Sequence, residues 1–303
     1  MKELDETRNM NVDSSRNVGQ QLQQEWQRIV NTPQSRQAKD RMWISSDERE
    51  WAKQIKAAVA QTPELDDLHD FMYAQMAIVS MTDADQTNVE VILDRFRVLQ
   101  QLREENGIVN TLAHGSQLLQ TLIFDLVPGS FLAYSFVDHE ESYVCSMDMT
   151  SFDMDVLRDP RKEKEWLAAS YYLMHAFNLD LDATRRGLII LAECENYHWK
   201  GKDMVHAGAF RKWWSELALV YPLNVQKVKY FHTGLFMNLL MSTAKKFLPQ
   251  SVQQRMELGC RSEGGRLDQL FMVPDKPTAN QRLVMRLQDA LKSHYENQAT
   301  FVL

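Results

Sequence analysis

Glu193 and Glu195 stand two apart at the end of the apolar run GLIILAEC. On a strand, that spacing puts both carboxylates on one face, and a carboxylate pair can move protons in acid–base chemistry. The commoner use of strand-end carboxylates is to accept hydrogen bonds from helix N-termini or water. The eight histidines are scattered, and none has another four residues away. His175 falls near the apolar side of its segment, where a hydrogen-bonded core imidazole is expected. Asp83, Asp85 and Thr87 imitate the start of a calcium loop. Asn88 occupies the position that needs glycine, and Asp94 the one that needs glutamate, so helix capping accounts for them better. Cys145, Cys194 and Cys260 are widely spaced, form no CxxC pair, and lie in or beside apolar, strand-like stretches. Reduced core thiols are expected there. The motifs GxSxG, HExxH, GxGxxG and the Walker loop are all missing. The expectation is a protein that is not an enzyme and carries neither metal nor cofactor.

The chain is 44% hydrophobic and 25% charged over 303 residues, with 11 Gly and 8 Pro. That balance belongs to a globular chain of one large domain or two ordinary ones. Its formal charge of −7 argues against nucleic acid as a partner, because phosphate binding needs a basic surface. The charge is uneven. From Trp199 to Met256, nine basic residues stand against Asp203 and Glu216, so this stretch carries +7 and the remainder −14. One face that meets an anionic surface would explain this; so would ordinary solvated faces. The N-terminus, MKELDETRNMNVD, lacks the apolar core of a signal peptide. No uninterrupted apolar run reaches the ~18 residues of a spanning helix. A cytoplasmic protein is expected, with at most transient peripheral contact with a membrane.

The elements that must position these residues follow from hydrophobic period. Residues 21–60 read as two helical stretches anchored by Trp26, Trp43 and Trp51. Further helices are expected over 65–80, over 87–106 with Thr87 and Glu90 as a capping box, and over 111–126. Next, SFLAYSFV and SYVCSMDMT flank the acidic turn Asp138-His139-Glu140-Glu141, a hairpin signal. Beyond it, helices over 162–180, 205–221 and 235–247, a short one from Gln250 and a closing one over 283–297 are interleaved with strands over 187–194, 225–231 and 255–260. The run 187–194 is continuously apolar, as in a strand covered on both faces. This alternation predicts an α/β fold with a largely parallel sheet. In 235–247, a wide apolar face ends at Lys245 and Lys246. That pattern suits an interfacial helix, and equally a core helix whose lysines complement its dipole.

The order of these parts resembles the CRAL-TRIO lipid-binding family. GLIILAECENYHW, 187–199, resembles that family's strand and turn. YPLNVQKVKYFHTGLFMNLLMSTAKKFLPQSVQQRMELGC, 221–260, resembles its YP pair, strand, mobile helix, K-x-F-L corner, short helix and strand. SYVCSMDMTSFD is similar to the family's first domain strand, and 70–107 to its helical N-terminal part. The resemblance covers residues 65–270 and is strongest over 187–260. It implies a CRAL-TRIO-like α/β fold: a sheet floor with packed helices and a gate helix, preceded by an all-helical region. The corresponding divisions are 1–128, a lipid-binding domain over 129–275, and a C-terminal helix over 276–303.

Members of that family are not enzymes. Each holds one hydrophobic ligand in an internal pocket and transfers it between membranes through a mobile gate, here 235–246 by position. The resemblance and strand alternation together nominate Met147, Met149, Tyr172, Leu188, Ile190, Ala192, Cys194, Trp213, Leu217, Val228, Tyr230, Leu235, Phe236, Leu239 and Leu240 as ligand contacts. Arg211, Lys212, Lys245 and Lys246 are nominated to touch an anionic membrane surface. His232-Thr233-Gly234 departs from the family's Asn-x-Pro, and no closing Tyr-Gly-Gly is present. Lys212 stands where the phosphoinositide-exchanging branch has an acid, which leaves a tocopherol, retinoid, carotenoid or sterol more open. The alternative is a non-catalytic interaction module whose pocket is filled by Trp213, Trp214, Phe236 and Tyr171.

Overall fold

The computed structural model describes residues 41–82, 88–127, 131–137, 142–148, 156, 159–194, 220–234, 238, 250–260 and 276–303. Helix α1 (Ser46–Ala60) opens on a capping box. Ser45 Oγ accepts the Glu48 N–H at 3.2 Å, and the Glu48 carboxylate accepts the Ser45 N–H at 2.8 Å. Trp51 anchors α1 through its Nε1–H, which donates to Ser80 Oγ at 2.8 Å. Trp43 anchors nothing: it is 59% exposed, with the Arg185 guanidinium 5.0 Å above its ring. Trp26 lies outside the described residues.

Helix α2 (Asp70–Thr82) begins five residues later than its apolar period suggests. The preceding segment is held as a loop, because the Leu68 N–H donates to the Tyr73 hydroxyl, which donates to Asp67. All residues from Phe71 to Ser80 are buried, so α2 is enclosed all round rather than along one stripe. Helix α3 (Val89–Glu105) is capped by Asn88, whose side chain accepts the Glu90 N–H at 2.9 Å. Asn88 thus takes the part expected of Thr87, which lies outside the described residues. Helix α4 (Leu112–Thr121), capped by Thr111, runs into a π-helical turn at Leu122–Leu126.

Strands β1 (Phe131–Val137) and β2 (Ser142–Asp148) form the expected antiparallel hairpin. After them come α5 (Pro160–Phe177), α6 (Leu181–Arg186), β3 (Leu188–Glu193), β4 (Val225–Phe231), α7 (Gln250–Arg255), β5 (Met256–Cys260) and α8 (Lys276–Thr300). The fold is therefore mixed α/β, as the alternation predicts. Helix α6 is absent from the sequence reading, which extends the preceding helix to 180. Asn178 ends α5 instead, donating to the Pro222 carbonyl at 2.7 Å and accepting from the Thr184 hydroxyl at 2.7 Å. Asp180 then caps α6 by accepting the Ala183 N–H at 2.6 Å. Helix α8 is 25 residues long, well beyond 283–297, and packs on α2, α4, α5 and β1.

Strand order equals chain order, β1-β2-β3-β4-β5, and β2 to β5 are parallel. Parallel connections that all step the same way belong on one face when each is right-handed. Burial agrees. Leu188, Ile190 and Ala192 are buried while Ile189 and Leu191 are half-buried; Val228 and Tyr230 are buried while Lys227 is exposed. Coverage of β3 is therefore stronger on one face than on the other, against the two-sided cover its apolar run predicts. The buried face shares one continuous hydrophobic cluster with residues of α1 to α5 and α8. Gly187 joins α6 to β3 with φ 73°, and a Cβ there would stand 2.3 Å from the Asn224 carbonyl, so only glycine fits.

Candidate functional site

The register assembles the sheet residues into two transverse rows. Ile190 lies between Cys145 and Val228, and Val228 is opposite Met256. Ala192 lies between Met147 and Tyr230. With Leu188, six nominated contacts therefore share one face: Met147, Leu188, Ile190, Ala192, Val228 and Tyr230. Cys194 follows just past β3, where its N–H donates to the Phe231 carbonyl at 3.1 Å. The face is apolar and tightly enclosed. Apart from half-buried Met147, none of these six is more than 7% exposed. Cys145, buried in the same face, has its thiol pushed up to about 12 by burial, which removes it as a nucleophile.

Tyr172 is placed elsewhere. It belongs to the contact among α4, α5 and α8, where its ring and Leu291 leave no room for a Cβ on Gly115. Its hydroxyl lies 3.1 Å from His114 Nδ1. Met149, Trp213, Leu217, Leu235, Phe236, Leu239 and Leu240 lie outside the described residues, as do Arg211, Lys212, Lys245 and Lys246.

The carboxyl ends of β3 and β4 carry a polar pair that the sequence reading did not make. Glu193, 1% exposed, places both carboxylate oxygens 3.0 Å from Nδ1 of His232. His232 has φ 49°, a conformation uncommon outside glycine. The turn after it is held by Asn238, whose Oδ1 accepts from the Thr233 hydroxyl at 2.6 Å. Sequence could not pair Glu193 with His232, because they are 39 residues apart and meet only through the β3–β4 register. Glu195, the expected partner of Glu193, lies outside the described residues.

His175 is the core imidazole that its position predicts. Its Nδ1 lies 3.1 Å from the Tyr171 carbonyl and 3.0 Å from the Tyr221 hydroxyl. The His294 ring lies tilted beside it, 4.3 Å between centroids, and the His294 Nδ1–H donates to the Asn178 carbonyl at 2.9 Å. Nε2 of both rings is buried without a hydrogen-bond partner. Burial is the main force holding both imidazoles below the ordinary histidine range, and His294 reaches about 4. Two neutral imidazoles in a ring of tyrosines are core material. No group of three potential metal ligands is found among the described residues.

No family model matches this sequence, and no curated protein matches it. Among solved structures it is similar to Sfh5, at 8% identity and a TM-score of 0.42, over 71% of this chain and 81% of that one. No described helix is long and apolar enough to cross a membrane.

Proposed function

We propose that this chain binds a single hydrophobic ligand, a lipid, tocopherol, retinoid, carotenoid or sterol, against the covered face of its sheet, and transfers it between membranes. The observation that supports this reading is the unbroken apolar surface across β2, β3 and β4, formed by Met147, Leu188, Ile190, Ala192, Val228 and Tyr230. A guest of sixteen methylenes buried there would gain on the order of 12 kcal/mol before losses. That is enough to hold it against water, yet most of it is returned on entering a bilayer. The resemblance of the chain's order of motifs over 187–260 to the CRAL-TRIO family supports the same assignment, with 235–246 as the gate and Arg211, Lys212, Lys245 and Lys246 as the membrane contact.

The second reading, an interaction module with a filled interior, is favoured by one observation: the same face exposes almost no surface. A carrier of this shape must therefore open before it loads. The two readings part on what the protein carries. Mass spectrometry of lipids released from the purified full-length chain is expected to show one hydrophobic species near stoichiometry. A protein that purifies empty, and acquires no fluorescent sterol, retinoid or phospholipid from vesicles, is the interaction module.

A further inference from the structure

Arg103 stands on the last turn of α3 and is half-buried. Its Nε is buried and has no hydrogen-bond partner, and no acidic side chain among the described residues pairs with it. Its charge lies near enough to be felt by Tyr171, Tyr172, Tyr295 and His175. Beside it lies a cavity of about 20 Å³ whose walls are apolar except for Arg103, Tyr171, Gln100 and Asp66. That is room for one or two water-sized groups. Tyr171 is buried and lines the same cavity.

Gln100 is fully engaged. Its Oε1 accepts the Asp66 N–H at 3.1 Å, and its Nε2 donates to Glu104 at 3.1 Å. Asp66 is exposed, lines the cavity and makes no ion pair with Arg103. The cavity is thus lined by a guanidinium whose Nε lacks a partner and by a buried phenol, and its single carboxylate is exposed. Donors shielded from water without an acceptor are costly, and a guanidinium facing a small recess matches the planar oxygens of an oxyanion.

We propose that this cavity is a binding site for a phosphate-type anion, one oxygen of which enters to accept hydrogen bonds from Arg103 and Tyr171 while the rest stays at the mouth beside Asp66. The site is built from α3, α5 and the 65–72 segment alone, and no strand residue lines it. It stands whether or not the sheet carries a lipid. The phosphate has two sources, free anion or the monoester headgroup of a lipid.

Full-length protein is titrated with inorganic phosphate by calorimetry, at constant ionic strength with chloride as the balancing salt. Saturable binding is expected for the wild type. Arg103→Gln should weaken it about tenfold or more and Tyr171→Phe several-fold, while Asp66→Asn should strengthen it at low salt. Phosphate that acts no differently from chloride overturns the proposal, and so does an unchanged affinity in Arg103→Gln. If Arg103→Gln does not fold, Asp66→Asn decides, because it is exposed: an affinity equal to wild type overturns the site. A parallel flotation arm uses phosphatidylcholine vesicles with and without phosphatidic acid. Arg103-dependent vesicle binding identifies a headgroup, and phosphate binding without it identifies the free anion; both support the site.

Discussion

Acid should destabilise this protein through His294, and the size of the effect follows from its burial. The imidazole is enclosed against Phe71 and His175 and held near pKa 4, while in the unfolded chain it titrates near 6.5. Its folded value is depressed, so between about pH 6.5 and pH 4 the unfolded chain binds the extra proton, and stability falls with pH across that window. The full gap is worth about 3 kcal/mol, of which about 2 kcal/mol is already lost at pH 5. Asp180 works the other way. Burial raises its carboxyl to about 6, so the folded state takes up the proton first, and stability gains about 1 kcal/mol between pH 7 and pH 5. Bulk pH dependence therefore mixes two signs, and a difference measurement is needed.

His294→Phe isolates the term. A phenyl ring fits the edge-on contact with Phe71, and the Asn178 carbonyl keeps its second donor, the Gln75 amide at 2.8 Å. Urea unfolding followed by tryptophan fluorescence at pH 7.5, 6 and 5 gives the comparison. The variant should gain on the wild type by about 2 kcal/mol between the first and last pH. Parallel pH profiles for the two proteins would refute the reasoning, because they would mean that the His294 proton does not distinguish folded from unfolded chain.

Gly187→Ala should cost about 3 kcal/mol, read as a lowered urea midpoint, because it combines strain at φ 73° with a methyl forced onto the Asn224 carbonyl. An unchanged midpoint would mean that the α6–β3 junction can relax. Ala192→Trp places an indole between Met147 and Tyr230; where the overpacked sheet folds, it should purify with at least ~10-fold less ligand, measured by lipid mass spectrometry. Undiminished loading would remove this face from the ligand site. Lys245→Glu with Lys246→Glu should weaken flotation with anionic vesicles at low salt, with the difference fading as salt rises. Equal flotation at low salt would remove the electrostatic part of membrane docking.

Much of the fold is legible in residue order. The hairpin around Asp138–Glu141, the strand 225–231 and the short helix at Gln250 coincide with β1–β2, β4 and α7, because alternation and apolar runs report local burial directly. The face of the sheet is legible too: Leu188, Ile190 and Ala192 in β3, and Val228 and Tyr230 in β4, are buried together at every second position. What failed was where particular side-chain contacts overruled the hydrophobic period. Tyr73 pulls 65–69 out of the helix it could have joined, and Asn178 ends α5 with a bond to Pro222. Trp43, an apolar anchor by type, lies outside beneath Arg185.

By itself the chain's order of residues determined its class: helices first, then strands alternating with helices, with apolar positions spaced for one buried face. Only the tertiary structure decided which groups meet. Glu193 finds His232 across a strand register, His175 finds His294 across α5 and α8, and Arg103 lines a recess with its Nε unpartnered among the described residues. The physical reason is range. Periodicity records whether a residue is buried, which is a property of its own position, whereas a pair or an unpartnered group is a property of two distant segments brought together.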